Sequence, residues 1–260
     1  MDSAKALPVP VALAARNLVR NLRTPMLVTA SLLQPVIWLV LFSQTFKGLA
    51  NTDQFRRLGY GSYLEFLLPG MLILSMLFTA LQSGIATVTD IDTGVMDKLL
   101  ISPTRRISIL FGRVGADAIT MLVQGGIILA LAVAMGARPN SALGAIALLA
   151  IATVFGVAWA GLSNLIALRT RSSELTMVGG LLLTLPALFL TPAFFPRQLL
   201  PGWLQGVSNA NPATYVIETG QRLMSTGNSW AQDGRTLIAL AVTAAVLIPA
   251  SIAAFRATAK

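Results

Sequence analysis

Apolar positions along the chain gather into long uncharged runs separated by short charged breaks. The runs are Met26 to Phe46 (21 residues), Phe66 to Thr89 (24), Ala118 to Ala137 (20), Pro139 to Leu168 (30), Leu175 to Pro196 (22) and Thr236 to Phe255 (20). At about 1.5 Å per residue, each can cross a hydrocarbon core of about 30 Å. With ends adjusted for interfacial residues, the expected spans are 26–46, 66–89, 114–137, 141–168, 175–192 and 236–255. A seventh run, Gln198 to Ile217, holds Pro201, Pro212, Gln205, Ser208, Asn209 and Asn211. Hydrocarbon cannot satisfy so many polar groups, so this run is placed outside the core. The predicted fold is all-α: a polytopic membrane protein with six transmembrane helices in a single domain, residues 1–260.

Three breaks carry patterns of their own. Residues 9–23 alternate helically, with Val11, Ala15, Leu18 and Leu22 on one face and Arg16, Arg20 and Arg23 on the other. This reads as an amphipathic helix lying in the membrane interface. A secretory signal peptide would also have a basic start, but the following run lacks an Ala-x-Ala-like end, so an uncleaved first span is expected. In the break after the second run, a helix over 94–101 places Met96, Leu99 and Leu100 on one side, with Asp97 and Lys98 elsewhere. Pro103 stops it within a turn. Such a helix suits a groove on another protein; the plainer alternative is a loop resting on lipid. Residues 193–222 interleave Phe194, Phe195, Leu199, Leu200, Trp203 and Leu204 with prolines. Short external re-entrant helices before the last span are expected there.

Composition agrees. The chain is 55% hydrophobic and 11% charged, against about a quarter charged in soluble domains. It has 19 basic and 10 acidic residues, an excess better matched to cytoplasmic loops and anionic lipid than to nucleic acid. Counted by loop, twelve Lys and Arg fall on the side holding both termini and seven on the other. Both termini and the 94–101 loop are therefore expected in the cytoplasm.

The chemistry is sparse. There is no Cys and no His, which removes thiolates and the commonest general base and transition-metal ligand. No charge is expected at bilayer depth, because Glu65, Asp117, Glu174 and Glu218 fall near span ends. Ion-coupled carriers usually need such a site. The polar residues within the runs, Gln34, Gln82, Gln124 and Asn164, are expected to bond between helices. Asp90, Asp92 and Asp97 could bind a divalent cation, but Lys98, Arg105 and Arg106 favour a charge-balanced loop, so no metal is expected. A GxxxxGK[ST] phosphate loop is absent. The chain reads as a passive path needing an engine elsewhere. A secondary carrier or channel, and a membrane-embedded lipid-modifying enzyme, stand as alternatives.

Two segments sharpen the reading. Asp92 to Arg113, DTGVMDKLLISPTRRISILFGR, and Leu199 to Met224, LLPGWLQGVSNANPATYVIETGQRLM, flank the middle spans. The first resembles the segment between spans two and three of type-2 ABC-transporter permeases, in the daunorubicin-exporter-like branch. The second is similar to that family's Pro-x-Trp-Leu … Asn-Pro-x-Thr-Tyr … Arg segment, through Pro201, Trp203, Leu204, Asn211, Pro212, Thr214, Tyr215 and Arg222. The resemblance implies an exporter of a hydrophobic or amphipathic molecule (drug, lipid or polyketide-like) in a bacterial cytoplasmic membrane. It implies a second permease subunit, identical or paralogous, and two separate ABC ATPase subunits that bind ATP and Mg. This chain then needs no cofactor and has no catalytic residue. The 94–101 helix becomes a coupling helix, with Asp92, Gly94, Met96, Asp97, Leu99, Leu100, Pro103 and Arg105 at the ATPase contact. Where the family often carries Glu, this chain has Met96-Asp97, so a carboxylate contact would come from Asp92 or Asp97. Phe78, Leu81, Gln82, Leu185 and Phe189 are expected along the substrate path, and Trp203, Asn211, Pro212 and Tyr215 in an external gate.

Overall fold

A computed structural model describes residues 25–48, 52, 55, 61–95, 106–225 and 234–258. These form helices α1 (Pro25–Thr45), α2 (Tyr63–Asp92), α3 (Arg106–Ala134), α4 (Ala142–Thr170) and α5 (Ser173–Phe189). A 3-10 turn (Arg197–Leu199) precedes α6 (Gly202–Ala210), α7 (Pro212–Ser225) and α8 (Gly234–Thr258). The expected interfacial helix over 9–23 lies outside the described residues, as does residue 96 onward in the expected 94–101 helix.

Serines set three of the helix starts. Ser62, Ser141 and Ser172 precede α2, α4 and α5, and each side chain accepts the backbone N–H three residues on, at 3.2, 2.9 and 3.3 Å. Each cap satisfies one of the orphan donors of a helix first turn. Pro35, Pro69, Pro186 and Pro249 lie inside helices without ending them.

The bundle is built around α2. It is apolar nearly all round, as a helix with no solvent face must be, and it packs against α1, α3, α4, α5 and α7. Its contact with α4 is the most extensive, and small residues make it possible. A Cβ on Gly84 would sit 2.7 Å from the Ser163 carbonyl oxygen, and one on Gly156 would sit 2.8 Å from Met76 Cβ. On its other side α4 meets α8, where a Cβ on Gly161 would lie 3.0 Å from the Leu247 carbonyl.

Among the described residues, three stretches are long and apolar enough to cross a membrane: Tyr63–Asp92, Gly112–Ala134 and Ala142–Thr170. Shorter apolar helical stretches, Leu33–Thr45, Ser173–Phe189 and Gly234–Leu247, overlap the expected spans 26–46, 175–192 and 236–255. The element ends differ instructively from the expected ones. Helix α2 starts before Glu65, because that carboxylate is buried and accepts the Arg138 N–H at 3.0 Å. Helix α3 starts at Arg106, eight residues ahead of the expected 114. Helix α5 ends at Phe189, three residues ahead of the expected 192, where Thr191-Pro192 turns the chain.

Aromatic rings fasten the Tyr63 end of the bundle. Trp38, Phe42 and Phe46 stack along α1 with centroids 5.0 and 5.6 Å apart. Phe194 lies 5.2 Å from Phe42 and 5.3 Å from Phe189, within the favourable range for ring pairs. The Tyr63 hydroxyl donates to the Phe194 carbonyl at 2.9 Å.

Gly84 tests the α2–α4 packing. Gly84→Ala is expected to cost about 1–3 kcal/mol through overpacking against backbone and to lower the melting temperature in detergent. Gly126→Ala, where a Cβ meets nothing within 4 Å, is expected to be neutral or slightly stabilising. Equal melting temperatures for the two variants would refute close α2–α4 contact at Gly84.

Candidate coupling site at the Asp90 end of the bundle

Four hydroxyl residues recur every fourth position on α2: Ser75, Thr79, Ser83 and Thr87. Together with Asp90 they make one buried polar stripe on an otherwise apolar helix. Four-residue spacing keeps them on one face, winding slowly about the axis. No water is available to such groups in a bilayer, so neighbouring helices must supply partners.

Helices α3 and α4 do so for Thr79, Ser83, Thr87 and Asp90, whereas the Ser75 hydroxyl is left without a partner among the described residues. At the deepest level bonded across helices, Thr79 Oγ1 lies 2.5 Å from Gln124 Oε1 on α3 and 2.9 Å from its own helix carbonyl at Ser75. One hydroxyl proton cannot serve both. Donation to the carbonyl leaves Thr79 accepting from the Gln124 amide in its flipped orientation. A turn nearer the Asp90 end, the Asn164 amide of α4 donates to Ser83 Oγ at 3.3 Å and to the Ala160 carbonyl at 2.8 Å. Ser83 in turn donates to Asp117 Oδ2 of α3 at 2.5 Å. Thr87 bonds to the Asn164 oxygen. At the end, Arg113 of α3 pairs with Asp90 at 3.1 Å and donates to the Ser83 carbonyl at 3.2 Å. The ladder ties three helices together.

Asp117, expected near a span end, is the twelfth residue of α3 and the sixth of its apolar stretch Gly112–Ala134, and it meets α2 at Ser83, nine residues from Asp92. At helical rise that is about 14 Å from the end of α2. There Ser83 bonds the carboxylate, and Arg113 lies one turn away on α3. The expected interhelical roles of Gln124 and Asn164 match their bonds, whereas Gln34 and Gln82 are exposed. The hydroxyl stripe was visible as a four-residue period, and Arg113-x3-Asp117 as its complement.

Of the residues expected at the ATPase contact, Asp92 is exposed at the end of α2 and Gly94 follows with φ +68°, in the left-handed region that favours glycine. Thr93 caps the helix, its hydroxyl donating to the Thr89 carbonyl at 2.7 Å. Met96, Asp97, Leu99, Leu100, Pro103 and Arg105 lie outside the described residues. Along the expected substrate path, Leu81 is buried on α5, where a Cβ on Gly180 would meet it at 2.2 Å. Phe78 packs on the core, while Gln82, Leu185 and Phe189 are exposed. In the expected gate, Trp203 is exposed on α6 and Pro212 opens α7. Asn211 donates to the Ala187 carbonyl at 2.8 Å, and Tyr215 donates to the Asn209 carbonyl at 2.7 Å. Arg197, expected in no role, gathers Glu218 at 3.3 Å, the Gln205 carbonyl at 3.3 Å and the Asn209 side chain.

Long apolar helices closed around a hydrogen-bonded polar seam define a multi-pass membrane protein. Residues 11–224 match the model of the ABC-2 type transporter family, and the chain belongs to that family: it is an ABC transporter permease. It is 30% identical over 222 residues to the putative transport permease ycf38 of Porphyra purpurea, covering 84% of this chain and 74% of that one. It is 28% identical over 231 residues to the daunorubicin resistance ABC transporter permease protein DrrB1 of Streptomyces coeruleorubidus (86% and 77%). The inner membrane transport permease YadH of Escherichia coli K12 is 27% identical over 192 residues (72% and 72%). Family membership implies an ABC ATPase as partner.

The ladder makes a graded prediction. Asn164→Leu removes its bonds to α2 and is expected to cost about 0.6–2 kcal/mol, the scale of interhelical hydrogen bonds in membranes. Arg113→Leu removes a guanidinium from a buried carboxylate and is expected to cost more, about 3–5 kcal/mol. The pair Asp90→Leu with Arg113→Leu should recover part of that loss. Unfolding in mixed micelles checks the order; a double variant as unstable as the sum of its parts would contradict a coupled pair.

Proposed function

We propose that this chain is the membrane subunit of an exporter moving a hydrophobic or amphipathic substrate (drug, lipid or polyketide-like) out of the cytoplasm or inner leaflet. Two copies of a separate ATPase, binding ATP and Mg, drive it, and a second permease, identical or paralogous, completes the path. The setting is a bacterial cytoplasmic membrane crossed six times, with both termini cytoplasmic. The basic excess then faces anionic lipid, and no nucleic acid partner is involved. The similarity to a daunorubicin resistance permease of Streptomyces coeruleorubidus supports a drug-like substrate.

One observation carries the coupling. Helix α2 runs without interruption from the aromatic cluster at Tyr63 to Asp92, two residues before the 94–101 segment, and the polar ladder bonds it to α3 and α4. A displacement of 94–101 by the ATPases would thus reach three spans together. Asp92, Gly94, Met96, Asp97, Leu99, Leu100, Pro103 and Arg105 are the proposed contact. Phe78, Leu81, Gln82, Leu185 and Phe189 are the proposed path, and the exposed apolar side chains of α5 would face it. The α6–α7 element, with Trp203, Asn211, Pro212 and Tyr215, would close the external side as a re-entrant gate.

Leu99 provides the test. Seating a leucine side chain in a groove is worth about 1.5–3 kcal/mol, and a carboxylate there adds a desolvation cost of roughly several kcal/mol. Leu99→Asp is expected to insert normally, yet to weaken ATPase pull-down or uncouple ATP hydrolysis from transport in reconstituted membranes. Asp97→Ala, a rim change, should do less. A well-inserted Leu99→Asp protein that binds and couples like the parent would remove the loop from the mechanism.

A further inference from the structure

A groove of about 420 Å³ lies between the α6–α7 turn and α8, outside the polar ladder and the proposed substrate path. Its volume falls within the range of small-molecule sites, about 300–1,000 Å³. Along α8 it runs from Arg235 past Ile238, Ala239 and Val242 to Thr243, with Pro212 and Tyr215 across from them. Eight helical steps give it a length of about 12 Å. One end is cationic and the remainder is almost wholly apolar.

The groove's depth in the bilayer follows from its hydrogen bonds. Thr236, beside Arg235, bonds to Thr219 of α7 at 2.5 Å. Two residues further along α7, Gln221 donates to the Phe66 carbonyl in the first turn of α2 at 3.3 Å. The start of α8 is therefore close in level to the start of α2, which the proposed six-span reading puts where polar headgroups meet hydrocarbon. From there the groove descends into the core. Leu237, Ile238, Val242 and Val246 are exposed on α8, so the groove opens sideways onto lipid. The Tyr215 hydroxyl proton is committed to the Asn209 carbonyl, which leaves the Arg235 guanidinium as the anion donor at the rim.

We infer that this groove binds one membrane phospholipid, its phosphate on Arg235 and an acyl chain along Ile238, Ala239 and Val242. A guanidinium presents a planar pair of donors matched to phosphate oxygens. The apolar lining beneath excludes a free phosphate or a soluble phosphorylated metabolite as the full occupant. Charge at headgroup level with a greasy channel below is the complement of a phospholipid. The lipid would wedge between α8 and the turn at Asn211-Pro212, so its occupancy would set how closely that turn approaches α8.

Native mass spectrometry of the full-length permease in micelles tests this, with phosphatidylglycerol, or with diacylglycerol of the same chains plus inorganic phosphate. The parent protein is expected to retain one phosphatidylglycerol and little diacylglycerol. Arg235→Gln, at an exposed position, should weaken that retention roughly tenfold, the scale of one charge-assisted hydrogen bond. Ala239→Leu, which fills the channel, should abolish it; if that variant folds poorly, Arg235→Gln alone decides. Undiminished retention in Arg235→Gln would overturn the inference, as would equal retention of diacylglycerol by the parent. So would a disulfide between two copies carrying Val242→Cys in this cysteine-free chain, since a second permease would then cover the groove. No ATPase or transport assay is involved, so failure here leaves the exporter reading standing.

Discussion

Helix α2 is surrounded by other helices and yet carries five polar side chains on one stripe. That single circumstance organises the bundle. A polar group in hydrocarbon finds only the partners that protein supplies. Asp117 and Gln124 must therefore come from α3, and Asn164 from α4, at the depths where α2 presents Ser83, Thr79 and Thr87. Hydrogen bonds are directional, so they fix register as well as proximity. Apolar packing around the rest of α2 supplies most of the contact area but would tolerate sliding by a fraction of a turn.

Sequence patterns make the helices legible because an uncharged run of bilayer length without the clustered Pro, Asn and Gln of 198–217 has one reading. They leave the helix ends illegible wherever a charged residue lies inside the helix. Glu65, Asp90, Arg113 and Asp117 all lie within helices, each held by a specific partner on another element. A lone charge in a sequence window carries no sign of that partner, since Asp90 and Arg113 are 23 residues apart. The hydroxyl stripe is hard to see in the sequence for the opposite reason. Serine and threonine hardly lower the apolarity of a run, so Ser75, Thr79, Ser83 and Thr87 do not interrupt it. Their four-residue period was nonetheless on display. The glycines divide the same way: Gly84 and Gly156 each stand four residues from an alanine, Ala80 and Ala160, a spacing that permits close packing, but the neighbour each meets is set by the fold.

The opposite end is solved with different chemistry. After α5 the chain passes through Pro192, Pro196 and Pro201, none of which can donate a backbone hydrogen bond. Carbonyls near that break need donors. Asn211 serves the Ala187 carbonyl, Gln221 serves Pro192 at 2.9 Å, and Tyr63 serves Phe194. The polar residues that kept 198–217 out of the predicted hydrocarbon are thus largely spoken for within the protein. Irregular backbone is tolerated at membrane depth where it is buried in protein, and α7, almost entirely buried against α2, α4 and α8, meets that condition.

The two ends differ in how they can move. At the Asp90 end, α2, α3 and α4 share directional bonds, so a displacement of one is resisted until the others follow. Helix α5 is held otherwise, by Leu81 seated on Gly180, by a Trp159–Thr184 bond at 3.2 Å and by Asn211 at its last turn. Much of its remaining surface is exposed leucine, methionine and valine. For an ATP-driven permease that partition has a mechanical consequence. A stroke applied beyond Gly94 would carry the bonded trio as one body, and the slip would fall on the interfaces without a ladder, chiefly α2 against α5. Packed interfaces of that kind move by small shears between discrete arrangements. The polar seam would then decide which surfaces of the permease remain fixed, leaving the apolar face of α5 as the one that changes.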